Sequence, residues 1–281
     1  MSLYHAVVLA VVQGLTEFLP VSSTAHLILF PWLARWPEPG LAFDVALHTG
    51  TLVAVALYFL PDWVRLIAAG FGIPWPRHAP PEQLHRRRRL FWFLVAGTLP
   101  AAAAGYFGEH YFETVLRTIP IIAASMIGVG LLMWWAENTS ALAKRMEAMG
   151  FADAIDVGLA QAVALVPGVS RSGITITAGL WRGMTREAAA RFSFLLSTPV
   201  IAGAALVEVP KLLRAHRAAS LVLPASTLLV AIAVSAAVGF LVIAYFLRYL
   251  QFRTLKPFIC YRIAFGVIIL LLLALHSGHA R

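Results

Sequence analysis

Two apolar stretches of the chain are each broken by a proline, and the same polar pattern surrounds both breaks. The first reads Gln13-Gly14-Leu15-Thr16-Glu17-Phe18-Leu19-Pro20-Val21-Ser22-Ser23-Thr24-Ala25-His26. The second reads Gln161-Ala162-Val163-Ala164-Leu165-Val166-Pro167-Gly168-Val169-Ser170-Arg171-Ser172-Gly173-Ile174-Thr175. Aligned on Gln13 and Gln161, Ser22 and Ser170 fall at the same offset, shortly after the proline. In a lipid-embedded chain, polar and ionisable groups are costly and by default mark function. Broken helices at corresponding positions of two halves point to a midplane site in an inverted repeat.

Composition supports the lipid setting. Of 281 residues, 60% are hydrophobic and 12% charged, against roughly 25% charged in soluble domains. The mean hydropathy is +0.81. A formal charge of +9 fits arginines in cytoplasmic loops. No basic face on a soluble module is visible, so nucleic acid is not an expected partner. Cys260 is the only cysteine, which excludes an internal disulfide or a cysteine-rich metal site; it is placed in a loop, as a packing residue. No basic region precedes the first apolar stretch, so a cleavable leader is not expected.

A span needs about 20 apolar residues, and the clearest segments are 41–60, 90–107, 119–135, 192–209, 220–246 and 263–275, the last short and drawing on residues from its flanks. Regions 2–30 and 155–180 are apolar but broken, and read as re-entrant helical hairpins, whose irregular backbone must be buried or line a wet cavity. The expected fold is thus an all-α polytopic membrane protein, a single integral domain over 1–281. It is an inverted-topology repeat with halves 1–135 and 151–281, each one re-entrant hairpin plus three transmembrane helices. Loop 61–89, with Arg65, Arg77 and the run Arg86-Arg87-Arg88-Arg89, is placed in the cytoplasm. The same alternation puts 136–154, 181–191 and 247–262 inside, the last with Arg248, Arg253, Lys256 and Arg262. It puts 108–118 and 210–219 outside, although 210–219 carries Lys211, Arg214 and Arg217. Residues 137–149 read as a short surface helix joining the halves. The arginine run reads as a topology anchor. Glu109, His110, Glu113, Glu208, Lys211, His276 and His279 read as surface or interfacial groups.

The breaks carry the chemistry. Gln13 and Glu17 share a helical face. Helices opening near Val21 and near Ser170 aim N-terminal N–H groups into the breaks, where an anion is favoured. Arg171 beside them suits a phosphate or pyrophosphate. Glu17 would repel such a ligand, so it points to catalysis or to a metal ion. His48, one turn after Asp44, is balanced between lining the site and a structural polar contact.

Both motifs, in this order and at this separation, strongly resemble the two signatures of the bacterial undecaprenyl-pyrophosphate phosphatases, the bacitracin-resistance protein family. The resemblance covers nearly the whole chain, including Arg191-Phe192-Ser193-Phe194-Leu195. It implies hydrolysis of undecaprenyl pyrophosphate to undecaprenyl phosphate, the cell-wall lipid carrier, by an integral inner-membrane enzyme whose site opens to the periplasm. It implies a divalent cation, Mg²⁺ or Ca²⁺, at Glu17. Family functional positions fall on Glu17, Ser22, Ser23, His26, Ser170, Arg171 and Thr175. Gln13 stands where the family pattern allows Glu or Gln, which removes one carboxylate from the site.

The catalytic set expected is therefore Glu17, Ser23, His26 and Arg171. Gln13, Ser22, Thr24, Gly168, Ser170, Ser172 and Thr175 are expected to bind the headgroup. Ser23 is one candidate nucleophile, activated by His26 or Glu17; His26 itself, as acid or phosphoryl carrier, is another. A transporter or flippase of an anionic polyprenyl phosphate lipid is the competing function, since broken midplane helices also build transporters. The oligomeric state is open, a homodimer being one expectation.

Overall fold

The computed structural model describes residues 1–37, 40–78, 80–217 and 223–279. The side chains of Glu109, His110, Glu113, His276 and His279 lie outside the described residues. Helix dominates: among the described residues the one β feature is an isolated bridge between Lys144 and Met184. The helices are α1 (Leu3–Phe18), α2 (Ser23–Ala34), α3 (Leu41–Tyr58), α4 (Leu60–Gly70), α5 (Pro81–Thr114), α6 (Ile119–Thr139), α7 (Phe151–Val163), α8 (Arg171–Trp181), α9 (Arg186–Arg217), α10 (Ala225–Leu250) and α11 (Lys256–His279).

Among the described residues, five helices are long and apolar enough to cross a membrane, within α5, α6, α9, α10 and α11. The pair α3–α4, bent by 71° at Phe59, has the length and apolar character of a sixth if its two helices are counted as one span. Large apolar side chains stand uncovered along these helices, among them Phe107 at 85% exposure and Leu206 at 78%. A water-soluble protein does not leave such a surface open, and in lipid it carries no penalty. This is a multi-pass membrane protein.

Several segments expected to be loops are helical instead. Much of 61–89 is α4 and the first turns of α5, where Pro81 sits at the helix start and Glu82 in its first turn, both favoured there. Most of 210–219 is the end of α9, and most of 247–262 is α10 and the start of α11. Cys260 accordingly lies on α11 and is exposed, not a loop packing residue. The linker 137–149 holds no surface helix: α6 runs to Thr139, and only the short 3₁₀ turn Met146–Ala148 follows. Hydropathy windows miss these extensions because charged turns at the membrane edge break the apolar run without breaking the helix.

The two short pairs α1–α2 and α7–α8 pack against the long helices. Helix α1 packs on α10 and α7 packs on α5, while α6 lies against α11 and α3 against α9. The α5–α7 crossing is close enough to require glycine on both sides. A Cβ on Gly158 would stand 2.3 Å from the Gly97 carbonyl oxygen, a backbone atom that cannot step aside. Gly158→Ala should therefore destabilise the protein by about 1–3 kcal/mol, the usual cost of overpacking. Thermal unfolding in detergent checks this, with Gly128→Ala as control, because that Cβ would meet nothing within 4 Å.

Candidate active site

Each break ends at a serine with left-handed backbone that caps the next helix. Ser22 has φ 74° and its Oγ accepts from the Ala25 N–H at 3.4 Å. Ser170 has φ 69° and its Oγ accepts from the Gly173 N–H at 3.1 Å. A non-glycine residue with positive φ is uncommon and costs free energy, so its occurrence at both matched offsets is a specific structural echo of the repeated motif. Gly168 has φ +90°, and a Cβ there would lie 2.4 Å from the Ile122 carbonyl oxygen of α6; only glycine lets the second break pack this closely.

The two breaks meet. The Arg171 guanidinium, at the start of α8, forms an ion pair with Glu17 Oε1 from the end of α1. Glu17 Oε2 accepts from Ser23 Oγ at 2.7 Å and from Gln13 Nε2 at 2.9 Å. His48 Nε2 stands 3.7 Å from the same carboxylate, and its Nδ1–H donates to the Asp44 carbonyl at 2.8 Å. The carboxylate is thus buried but surrounded by donors, as a charge removed from water requires. Ser172 Oγ adds a direct bond to the Leu19 carbonyl at 3.1 Å, tying the second break to the first.

This junction opens on a cavity of about 350 Å³. Glu17, Ser22, Ser23, Thr24, Gly168, Ser170 and Arg171 line it, with His48 and Gln161. Asp44, Arg117 and Glu208 also line it, and Arg117 donates to Asp44 Oδ2 at 3.1 Å. Much of the remaining wall is aliphatic, including Leu27, Val45, Val200 and Ile201. A few convergent polar groups in an apolar cleft are the usual form of a small-molecule site.

Four residues expected at the site stand behind it. His26 does not line the cavity: its Nδ1–H donates to the Ser22 carbonyl at 2.7 Å, and its Nε2 accepts from Tyr261 at 2.6 Å. Its ring stacks on Tyr261 and Phe265 of α11. Thr175 is fully buried; its Oγ1 donates to the Arg171 carbonyl at 2.7 Å and accepts from Ser193 at 2.6 Å. Ser172 spends its hydroxyl on Leu19, and Gln13 spends its amide N–H on Glu17. Bonds to neighbouring protein groups draw these side chains away from the cavity, a distinction that motif position does not carry.

The residue that sequence reasoning misplaced is Arg262. Counted as a cytoplasmic loop cation, it is fully buried on α11. Its guanidinium donates to the carbonyls of Pro20 (3.2 Å), Gly168 (3.0 Å), Val169 (2.9 Å) and Met126 (3.3 Å). One side chain therefore satisfies backbone oxygens freed at both breaks and holds them against α6. A planar fork with five donors suits this task in a way an ammonium does not.

The sequence match agrees with this geometry. Residues 6–268 match the family model described as bacitracin resistance protein BacA. The chain belongs to the bacitracin resistance protein BacA family. Relatives similar to this BacA-family chain carry the name undecaprenyl-diphosphatase. One from Geobacter metallireducens is 48% identical over 269 residues, covering 95% of this chain and 97% of the relative. One from Geotalea daltonii is 47% identical over 272 residues, covering 96% and 98%. One from Moorella thermoacetica is 45% identical over 269 residues, covering 96% and 97%. The BacA-family match spans both breaks and α11 up to Ile268, so the Glu17–Arg171 junction and the Arg262 clamp lie within it.

Proposed function

We infer that this chain is an undecaprenyl-diphosphatase, hydrolysing undecaprenyl diphosphate to undecaprenyl phosphate and phosphate. The observation that carries the reading is the contact of Ser23 Oγ with Glu17 Oε2, 2.7 Å apart at a cavity that also presents Arg171. A serine hydroxyl needs an adjacent base to attack phosphorus, and here the base is in contact. The diphosphate enters between the N-terminal ends of α2 and α8, and Arg171 turns from Glu17 to the phosphate oxygens. Glu17, released from its ion pair, takes the Ser23 proton as Oγ bonds to the terminal phosphorus. The bond from that phosphorus to the bridging oxygen breaks, and undecaprenyl phosphate leaves. Glu17 hands that proton to the departing bridging oxygen and is again a carboxylate. It then accepts a proton from the water that attacks the phosphoseryl phosphorus and returns it to Ser23 Oγ as the P–Oγ bond breaks and phosphate leaves. Arg171 and the helix N–H groups stabilise the charge on the transferred group.

His26 acts as a positioning residue in this scheme, fixing the Ser22 carbonyl and hence the Ser23 backbone against Tyr261. A divalent cation fits as a partner of the substrate. Among the described residues no three His, Cys, Asp or Glu side chains converge on one point, so a closed protein cage is not built. The buried Gln13 Oε1 nevertheless has no hydrogen-bond partner and lies on the residue bonded to Glu17. Glu17 and Gln13, hard oxygen donors of the kind Mg²⁺ or Ca²⁺ takes, would hold such an ion beside the diphosphate. Such an ion, when bound, neutralises phosphate charge.

The same reading orders the chain as an inverted repeat of 1–135 and 151–281 in the bacterial cytoplasmic membrane, with α1–α2 and α7–α8 as re-entrant hairpins. The matched serine caps support it, as does the exchange of partners by which α1 packs on α10 and α7 on α5. Arg65, Arg86 and Arg87 gather with Asp62 and Glu147 around one groove, which the charge rule assigns to the cytoplasm. The cavity leads instead to Asp44, Arg117 and Glu208, toward the periplasm. Purified protein in detergent should release phosphate from undecaprenyl or farnesyl diphosphate; binding without release would favour the flippase alternative.

A further inference from the structure

We propose that Gln161 is a headgroup-binding residue, its side-chain amide donating to a non-bridging oxygen of the diphosphate. Gln161 lies on α7 two residues before the helix ends, is 2% exposed, and lines the cavity beside Gly168, Ser170 and Arg171. Neither its Nε2 nor its Oε1 has a hydrogen-bond partner. Buried amides without partners are rare and costly, and one that lines a cavity is satisfied by what the cavity receives.

The matched half explains why this amide is free. Gln13 gives its N–H to Glu17, four residues on. The residue four after Gln161 is Leu165, which cannot accept. The first half thus joins its glutamine to the base, and the second leaves its glutamine open to the ligand. The neighbouring groups define what that ligand is: the Arg171 cation and the Ser170-capped helix start both favour an anion rich in acceptors. Nε2 supplies a donor to such an anion, while Oε1 accepts from water carried in with it.

The inference rests on the diphosphatase reading, and one experiment separates the two. Phosphate release from farnesyl diphosphate is measured for wild type, Gln161→Met and Gln161→Glu, with inorganic pyrophosphate as competitor and thermal unfolding in parallel. Absence of release by wild type would end the diphosphatase reading. Given wild-type turnover, Gln161→Met should raise KM about 10- to 100-fold, the loss of one hydrogen bond to a charged group. Its kcat should change less than about 3-fold, as when uniform binding is removed. The inhibition constant of pyrophosphate should rise in parallel, and Gln161→Glu should raise both further. The melting temperature of Gln161→Met should hold or increase, since an unsatisfied amide has been replaced by an apolar group of similar size. An unchanged KM would overturn the proposal. So would a raised KM with an unchanged pyrophosphate constant, which assigns Gln161 to the lipid tail, or a lowered melting temperature, which assigns it to packing.

Discussion

Ser23→Ala should lower kcat by about 10⁴-fold while leaving KM within a few-fold, the signature of a lost nucleophile in an otherwise intact site. The substitution removes only an oxygen that lies between Glu17 and the cavity. Ser22, not Ser23, caps α2, so the helix start and its N–H groups remain. Folding is therefore preserved, and the loss is chemical. Single-turnover rates and thermal unfolding of the same preparation check both halves. His26 supplies the contrast. Both its ring nitrogens are engaged, with the Ser22 carbonyl and with Tyr261, so His26→Ala should cost about 10- to 100-fold, typical of a group that acts through another. A phosphorylated enzyme trapped by acid quench should resist acid, as a phosphoserine does. An acid-labile adduct, with His26→Ala the deeper loss, would transfer the nucleophile to His26.

How much of this was legible in the residues differs from place to place. The membrane class was plain, because six apolar segments survive any reasonable placement of their ends. The convergence of Glu17, Ser23 and Arg171 followed from physical necessity: a carboxylate and a guanidinium in apolar surroundings need each other. What failed was direction. His26, Ser172 and Thr175 sit in the motifs, yet each turns to a backbone carbonyl or a hydroxyl behind the cavity. Such local bonds leave no trace in hydropathy. Arg262 failed for a second reason. The positive-inside rule counts cations near span ends, and Arg262 stands six residues after the start of α11. Its partners are carbonyls of three distant segments, at Pro20, Met126 and Gly168–Val169. A rule that weighs charge by position cannot see an acceptor set that exists only after folding.

The Glu17–Arg171 ion pair yields the second large effect, and its two halves should fail in opposite ways. Arg171→Ala removes the cation that meets the diphosphate, so kcat/KM should fall about 10³- to 10⁵-fold, the range for an arginine on a transferring phosphoryl group, with KM rising. It also leaves Glu17 buried without its ion partner, a change worth about 3–5 kcal/mol, so the melting temperature should fall as well. Glu17→Gln breaks the same contact from the other side. It removes a negative charge next to an anionic ligand, while the amide oxygen remains a donor for a cation bound with the phosphate. At saturating divalent cation KM should therefore hold or fall, while kcat drops about 10²- to 10⁴-fold with the loss of the base. Arg171→Lys separates charge from geometry: an ammonium keeps the attraction but loses the planar fork, and recovery of no more than about a tenth of wild-type kcat/KM is expected. If Glu17 and Arg171 merely fastened the two breaks together, both removals would lower stability and activity in proportion and shift KM the same way. Opposite movement of KM is available only to a pair whose cation binds the substrate and whose anion repels it.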